Sequence, residues 1–448
     1  MQRYEYSEGS SNKFWEISLE GTSFTTRFGR IGTDGQTSTK TFKSDEQAKR
    51  EHDKIVAEKV KKGYVPVGGG GAGAAPPATT KRGKGASNPE LEAAILADPD
   101  SVDGYLVYGD WLSEQGDPRG ELIAVQARLA ESPDDATLKQ KESELLAAHQ
   151  DDWIGEFLGN LQGEGEFSCT WRYGFFEKVE MGGDEWGETN GVEAWRALSK
   201  LASAKFLRDL TLAVFDSDEG TLDYGGLIKT MAKSELPPLR RLAFDCKGYQ
   251  ISWAELGNVS PLYPQLMRLE ELFIKMGPMD LGKMALPALR KLEVVTGSFS
   301  KKNLKSVATA PWPNLEALIL YFGDDNYGGD CDVADVTPIL GGGNIPKVKH
   351  LGLCNSSFAD ALAAAVAKSK VLARLEHLDL SQGTLGEEGA RAILDNAQAF
   401  SHLKSLNLTE NYIPEELCEQ LSKVCAQVIV EDQGAEEDPD DRYVQISE

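Results

Sequence analysis

The pattern L-x-x-L-x-L, with Val, Ile or Phe replacing some leucines, recurs eight times between residues 207 and 408. The copies lie at residues 207–212, 239–244, 269–274, 289–294, 315–320, 348–353, 375–380 and 403–408, and weaker copies at 176–181 and 425–430 bracket them. Successive starts fall 32, 30, 20, 26, 33, 27 and 28 residues apart. In each copy the first, fourth and sixth residues turn inward and the intervening ones face solvent along a strand. No single copy can bury its own apolar side, so successive copies must stack to form a continuous core. Several intervals read as helical returns, most plainly 358–370 and 387–397. With 41% apolar and 26% charged residues, the chain has enough apolar surface for such a core. The fold class expected is α/β.

Long spacings with helical returns resemble the ribonuclease-inhibitor class of leucine-rich repeats, which implies a solenoid over residues 166–432. The third, fifth and seventh positions of the copies would line its open strand face. Phe273, Val295, Ile319 and Tyr321 fall there and predict an exposed apolar and aromatic patch for a protein partner, with Asp379 on the same face. His350 and His377 share one repeat position, with Cys354 nearby, and are expected as polar surface side chains.

Before the repeats, residues 13–19 (KFWEISL), 23–27 (SFTTR) and 38–42 (STKTF) alternate as three strands. Turn residues cluster at 29–32 and 34–36, and Ser44-Asp45-Glu46 opens a helix through Lys62 that stops at Gly63. The order, the RFGRIGTDGQ stretch at 27–36 and the EKVKKGY helix end at 58–64 resemble the WGR domain, named for a Trp-Gly-Arg motif. Residues 1–66 carry the likeness, with Phe28 at the Trp position. In poly(ADP-ribose) polymerases the domain contacts DNA near a strand break, together with neighbouring protein domains. The resemblance therefore implies nicked or broken DNA, or a second protein, as the partner here. Phe28 would stack on a base or sugar, Arg30 would contact phosphate, and Lys40 and Lys43 would extend the basic surface.

Residues 67–88 are rich in Gly and Ala, with two prolines, and read as a flexible linker carrying Lys81, Arg82 and Lys84. Residues 89–165 read as four helices: Asn88 caps the first with Pro89 at its first position, and the others span 102–114, 121–130 and 137–150. The stretch at 89–127 resembles a helical companion domain found beside repeat arrays in myxobacteria and planctomycetes. Asp110, Asp117 and Arg119 are expected to cap helices and brace a turn. Residues 433–448 form an acidic tail whose Tyr443-Val444-Gln445-Ile446 is expected to fray, the alternatives being an edge strand or a peptide read by a partner.

Charge divides the chain: residues 1–88 carry +5 and residues 89–448 carry −29. Phosphate attraction is thus confined to the first module. The six cysteines include no CxxC pair, so neither a disulfide framework nor a zinc site is expected. Residues 323–335 hold five aspartates but lack the EF-hand spacing, and a mobile acidic loop is expected there. Asp325 and Asp330 in that loop, and Arg82 in the linker, are candidate contact or cleavage points. Neither GK[ST] nor GxSxG occurs, so no catalytic residue, metal or cofactor is expected and the chain is not read as an enzyme. With no run of about 18 apolar residues and no apolar leader, a cytoplasmic protein without membrane attachment is expected. The leading reading is a bacterial adaptor with a protein partner on its repeats and DNA or a second protein at its first module. Two further readings stay open: an acidic inhibitor of a basic enzyme, or a component or protease target of a signalling or defence pathway.

Overall fold

The computed structural model describes the chain except residues 9–10, 32–35, 62–63, 67–85, 184–188, 214–221, 248–250, 252–253, 436–440 and 447–448. Most of the expected linker, with Arg82, lies outside the described residues. Two compact units result, Met1–Arg82 and Gly83–Glu448.

The first unit is an antiparallel sheet with one long helix. Its strands are β1 (Gln2–Glu8), β2 (Ser11–Glu20), β3 (Ser23–Arg30) and β4 (Gln36–Thr41), followed by α1 (Asp45–Lys61) and β5 (Val65–Pro66). The sheet order is β4-β3-β2-β1-β5, two strands more than the sequence pattern predicts. Strand β1 escapes the pattern because, among its described side chains, Tyr4 alone enters the core. Tyr4, Trp15, Ile17 and Phe24 are buried together, with Ile55 and Val56 of α1 packed against them.

The second unit opens with α2 (Pro89–Ala97), α3 (Val102–Glu114), α4 (Arg119–Glu131) and α5 (Ala136–Glu164). Asn88 caps α2 by accepting from the Glu90 and Leu91 amides, with Pro89 at the first position. The fourth helix runs past the expected residue 150 to Glu164, through a break at Gly155 (φ 79°), and ends at left-handed Gly165. Buried Arg119 is held by Asp117, with Nη2 2.5 Å from its carboxylate, and lies 5.6 Å from the Phe175 ring. That bond braces the turn into α4.

The rest of this unit is one large mixed sheet with helices on its returns. Its strands and the short ones beside it are β6 (Phe167–Arg172), β7 (Phe175–Met181), β8 (Asp209–Leu212), β9 (Leu222–Asp223), β10 (Arg241–Asp245), β11 (Ala254–Glu255), β12 (Gly257–Asn258), β13 (Glu271–Lys275) and β14 (Met279–Asp280). They continue as β15 (Lys291–Val295), β16 (Ala317–Gly323), β17 (His350–Ser356), β18 (His377–Asp379), β19 (Ser405–Asn407) and β20 (Val428–Ile429). Eleven of them form a sheet in the order β20-β19-β18-β17-β16-β15-β13-β10-β8-β7-β6. The first two pair antiparallel, through a tight turn at Tyr173-Gly174 with both residues at positive φ, and every later pair is parallel. Both weak copies of the sequence pattern sit in this sheet, as β7 and β20. The short pairs β9–β11 and β12–β14 lie on the returns.

Return helices include α6 (Gly191–Leu198), α7 (Gly225–Lys233), α8 (Lys301–Thr309), α9 (Val333–Gly341), α10 (Ala359–Ala367), α11 (Glu387–Asp395), α12 (Ala397–Phe400) and α13 (Glu415–Leu421). One apolar core runs continuously from Ile154 to Val424, with the inward leucines of each copy buried. Among the described residues no helix is long and apolar enough to cross a membrane.

The acidic stretch expected to be a mobile loop is instead built into this framework. Asp324 accepts from the Asn326 amide, and Asp332 and Asp335 close a capping box on α9. Asp330 accepts from the Lys301 amide at 2.5 Å, and Lys301 Nζ lies 2.8 Å from Asp332 and 3.0 Å from Asp335. Asp325 and Asp330 are exposed, but within a 3-10 turn and a helix-capping segment. The reason is local: short carboxylates at helix starts satisfy amides that have no partner within the helix.

Candidate functional site

Two surfaces carry the expected site residues, one in each unit. In the first, β3 places Phe28 opposite Trp15 of β2 and Gln36 of β4. Trp15 is buried, whereas Phe28 is 43% exposed. Alternation puts Lys40, opposite Phe24, on the same face as Phe28, roughly 13 Å along the strands. Lys40 and Lys43 are exposed, the latter just beyond β4. Arg30 ends β3, and its side chain lies outside the described residues. An exposed ring with lysines on one sheet is suited to stacking and to holding an anion.

The opposite face carries a cluster that sequence patterning passes over. Glu16 Oε1 accepts from Arg3 Nη1 at 3.0 Å, and Oε2 accepts from Arg27 Nε at 2.8 Å. Both guanidinium groups lie over the Phe14 ring, at 4.6 and 5.6 Å from its centre. Hydrogen bonds from Arg27 and then Arg3 hold the Glu16 carboxyl below the usual carboxylate range, against the opposing effect of burial. A signal does exist in the sequence: residues 14 and 16 alternate with Trp15 and Ile17, so β2 is apolar or committed on both faces.

In the second unit the register brings the third positions of the copies into a ladder. Asp209, Arg241, Glu271 and Lys291 form a chain of ion pairs at 2.9, 3.5 and 3.5 Å, and Lys291 also meets Glu293, at the fifth position of its own copy, at 2.9 Å. Ala317 interrupts the ladder on the next strand, after which the third positions continue as His350 and His377, with ring centres 5.7 Å apart, and His377 Nδ1 lies 2.7 Å from Ser405 Oγ. Burial holds the His350 pKa below its ordinary value. Burial likewise pushes the Cys354 thiol well up. Among the described residues no three His, Cys, Asp or Glu stand together as a metal site.

The apolar patch expected on this face is smaller than predicted. Val295 and Ile319 are only 7% and 8% exposed. Ile319 lies opposite Gly352, where a Cβ would sit 2.8 Å from its Cγ2, so the methyl fills the space left by the missing side chain. Phe273 and Tyr321 are half-buried. Tyr321 stands opposite buried Cys354, and burial raises its pKa. Asp379 accepts from the Ser381 amide at 2.9 Å and from Asn407 Nδ2 at 3.0 Å. What remains accessible is therefore a mixed face: an ion-pair ladder, two histidines, Phe273 and Tyr321.

Residues 1–70 match the family model of the WGR domain, and the chain opens with a WGR domain. Over 63 residues the chain is 43% identical to YfeS of Escherichia coli (strain K12), covering 14% of this chain and 26% of that protein. Over 65 residues it is 37% identical to YehF of the same organism, covering 14% and 24%. The chain thus spans about a quarter of the length of each of these relatives. A crystal structure of a protein from Bacteroides fragilis, determined by the Northeast Structural Genomics Consortium, aligns over 100% of this chain and 99% of its own length. The TM-score is 0.50 at 22% identity, a likeness of fold.

Proposed function

We propose that this protein is a non-enzymatic cytoplasmic adaptor. Its WGR domain binds DNA near a nick or break, or docks a second protein. Residues 166–432 are a leucine-rich-repeat solenoid resembling the ribonuclease-inhibitor class, preceded by a helical companion domain. The face of its parallel strands takes a protein partner through the ion-pair ladder, Phe273 and Tyr321. The observation that carries the DNA reading is Phe28: it holds the Trp position of the matched motif and remains 43% exposed on a sheet that also presents Lys40. Tethering two such surfaces in one chain raises the effective concentration of one partner near the other.

Fluorescence anisotropy of a nicked duplex, titrated with the full chain at two salt concentrations, tests this. Wild type should bind with affinity falling steeply with salt. Phe28→Ala should weaken binding on the order of ten-fold, the scale of one lost base stack. No binding at low salt would make the WGR domain a protein-docking module. A second reading, an acidic inhibitor of a basic enzyme, is favoured by the charge of −29 on residues 89–448.

A further inference from the structure

Residues 443–446, expected to fray, are held together with Arg442 at the C-terminal end of β17 and on the loops that follow β18 and β19. The Asn355 side chain clamps the backbone of Ile446, with Nδ2 donating to its carbonyl at 2.6 Å and Oδ1 accepting from its amide at 2.8 Å. Gln445 donates its amide to the Gln382 carbonyl at 3.1 Å. The Tyr443 amide and carbonyl both meet the Tyr412 hydroxyl, at 3.1 and 3.2 Å. These contacts read main chain, not side chains.

Side-chain selectivity comes from the alternation. Arg442 and Val444 turn inward, Tyr443 and Gln445 turn out, and Tyr443 is 69% exposed. Arg442 Nη1 lies 2.9 Å from Asp360 Oδ2 and 3.1 Å from the Thr384 carbonyl. Asp360 is fixed for this role, because its other oxygen accepts from the Gly386 and Gly389 amides at the start of α11, both at 2.8 Å. Room for the guanidinium comes from Gly386, where a Cβ would lie 2.2 Å from Arg442 Nη1. Asn355 and Gln382, which carry the backbone contacts, both hold positive φ, which aims them out of the regular strand path.

The geometry points to a peptide-recognition groove on these loops, specific for an extended segment with Arg followed two residues later by an aliphatic side chain. Residues 441–446 occupy it as a built-in competitor. The contacts that build the groove use none of the residues assigned to partner or DNA binding above, so it stands or falls independently of the adaptor reading.

The probe is a capped, fluorescein-labelled peptide of residues 440–446 (DDRYVQI), titrated by anisotropy into the chain lacking residues 441–448. Circular dichroism and a cooperative melt confirm that the shortened chain is folded. The peptide should bind it, and peptides carrying Arg442→Ala or Val444→Asp should bind at least about ten-fold more weakly. The intact chain should also bind at least about ten-fold more weakly, because its own segment acts at an effective concentration on the order of millimolar. Asn355→Asp removes the clamp's donor and should weaken binding, since Asp tolerates the same positive φ. In the intact chain Arg442→Ala removes the built-in segment's own anchor and leaves the groove whole, so this variant should bind the wild-type peptide more tightly than the intact wild-type chain does; it serves if the shortened chain fails to fold. Equal binding of the wild-type and substituted peptides, or no binding to either folded protein, overturns the proposal.

Discussion

At the scale of single residues, Glu16 shows how a buried carboxylate can tie a sheet together. It sits between Arg3 and Arg27, with the Phe14 ring beneath both guanidinium groups. The arginine side chains are 33% and 40% exposed, so solvent screens part of the attraction. Glu16→Gln should cost about 1 kcal/mol at pH 7, read by urea unfolding. The folded-state pKa lies below the unfolded value, so this stabilisation is complete above about pH 4.3 and is lost as pH falls through the folded value. The gap between wild type and Glu16→Gln should therefore narrow steadily as pH falls below about 4.3; a gap that does not change with pH would mean the effect is packing, not charge. Phe28→Ala, by contrast, should leave the melting temperature nearly unchanged, because a half-exposed ring contributes little to the core.

Elements are fixed where strands hand over to returns. Buried Asn411 donates to the carbonyls of Leu380 and Leu408, at 2.9 and 3.0 Å, and accepts from the Leu385 amide at 3.1 Å. One amide thus serves backbone groups of two successive turns that no strand partner reaches. Asn411→Ala should destabilise by about 2–3 kcal/mol, as the Leu380 carbonyl and the Leu385 amide lose this partner while the Leu408 carbonyl keeps Gln433 Nε2 at 2.9 Å. At the end of β16, Gly323 has φ +81° and lies so close to Gly297 that a Cβ would be 1.8 Å from the carbonyl oxygen. Neither neighbour can yield, since both contacts are backbone. Gly323→Ala should cost at least about 2 kcal/mol, and a melt indistinguishable from wild type would show that β16 can slide away from its neighbour. The helix starts were legible in the sequence because capping is local: Asn88-Pro89 predicts α2 directly. Strand β1 was not, since with Tyr4 its one described core residue it owes its place to pairing with a neighbour; β6 does carry an alternation, Phe167, Cys169 and Trp171, but too short to stand out before the repeats.

At the scale of the whole molecule, electrostatics sets the terms of any encounter with nucleic acid. Residues 1–88 carry +5 and residues 89–448 carry −29. The compact unit Met1–Arg82 alone should bind a nicked duplex more tightly than the full chain at low salt. The difference should shrink as the screening length falls from about 10 Å at 0.1 M to about 3 Å at 1 M. A gap that does not change with salt would point to steric exclusion in place of charge repulsion.

The sequence by itself determined the repeat period, the parallel register, the helical returns and the aromatic at the WGR motif. Each of these is written in residues a few positions apart, where periodicity acts directly on the backbone. Tertiary structure alone decided which face residues stay accessible. Ile319 is covered because Gly352, one repeat later, has no side chain, and Asp379 is held by Asn407 of the next strand. It also decided where residues 441–446 go, through Asn355 and Asp360, about eighty to ninety positions earlier. Burial and pairing depend on what arrives from elsewhere in the chain, and no local pattern carries that information.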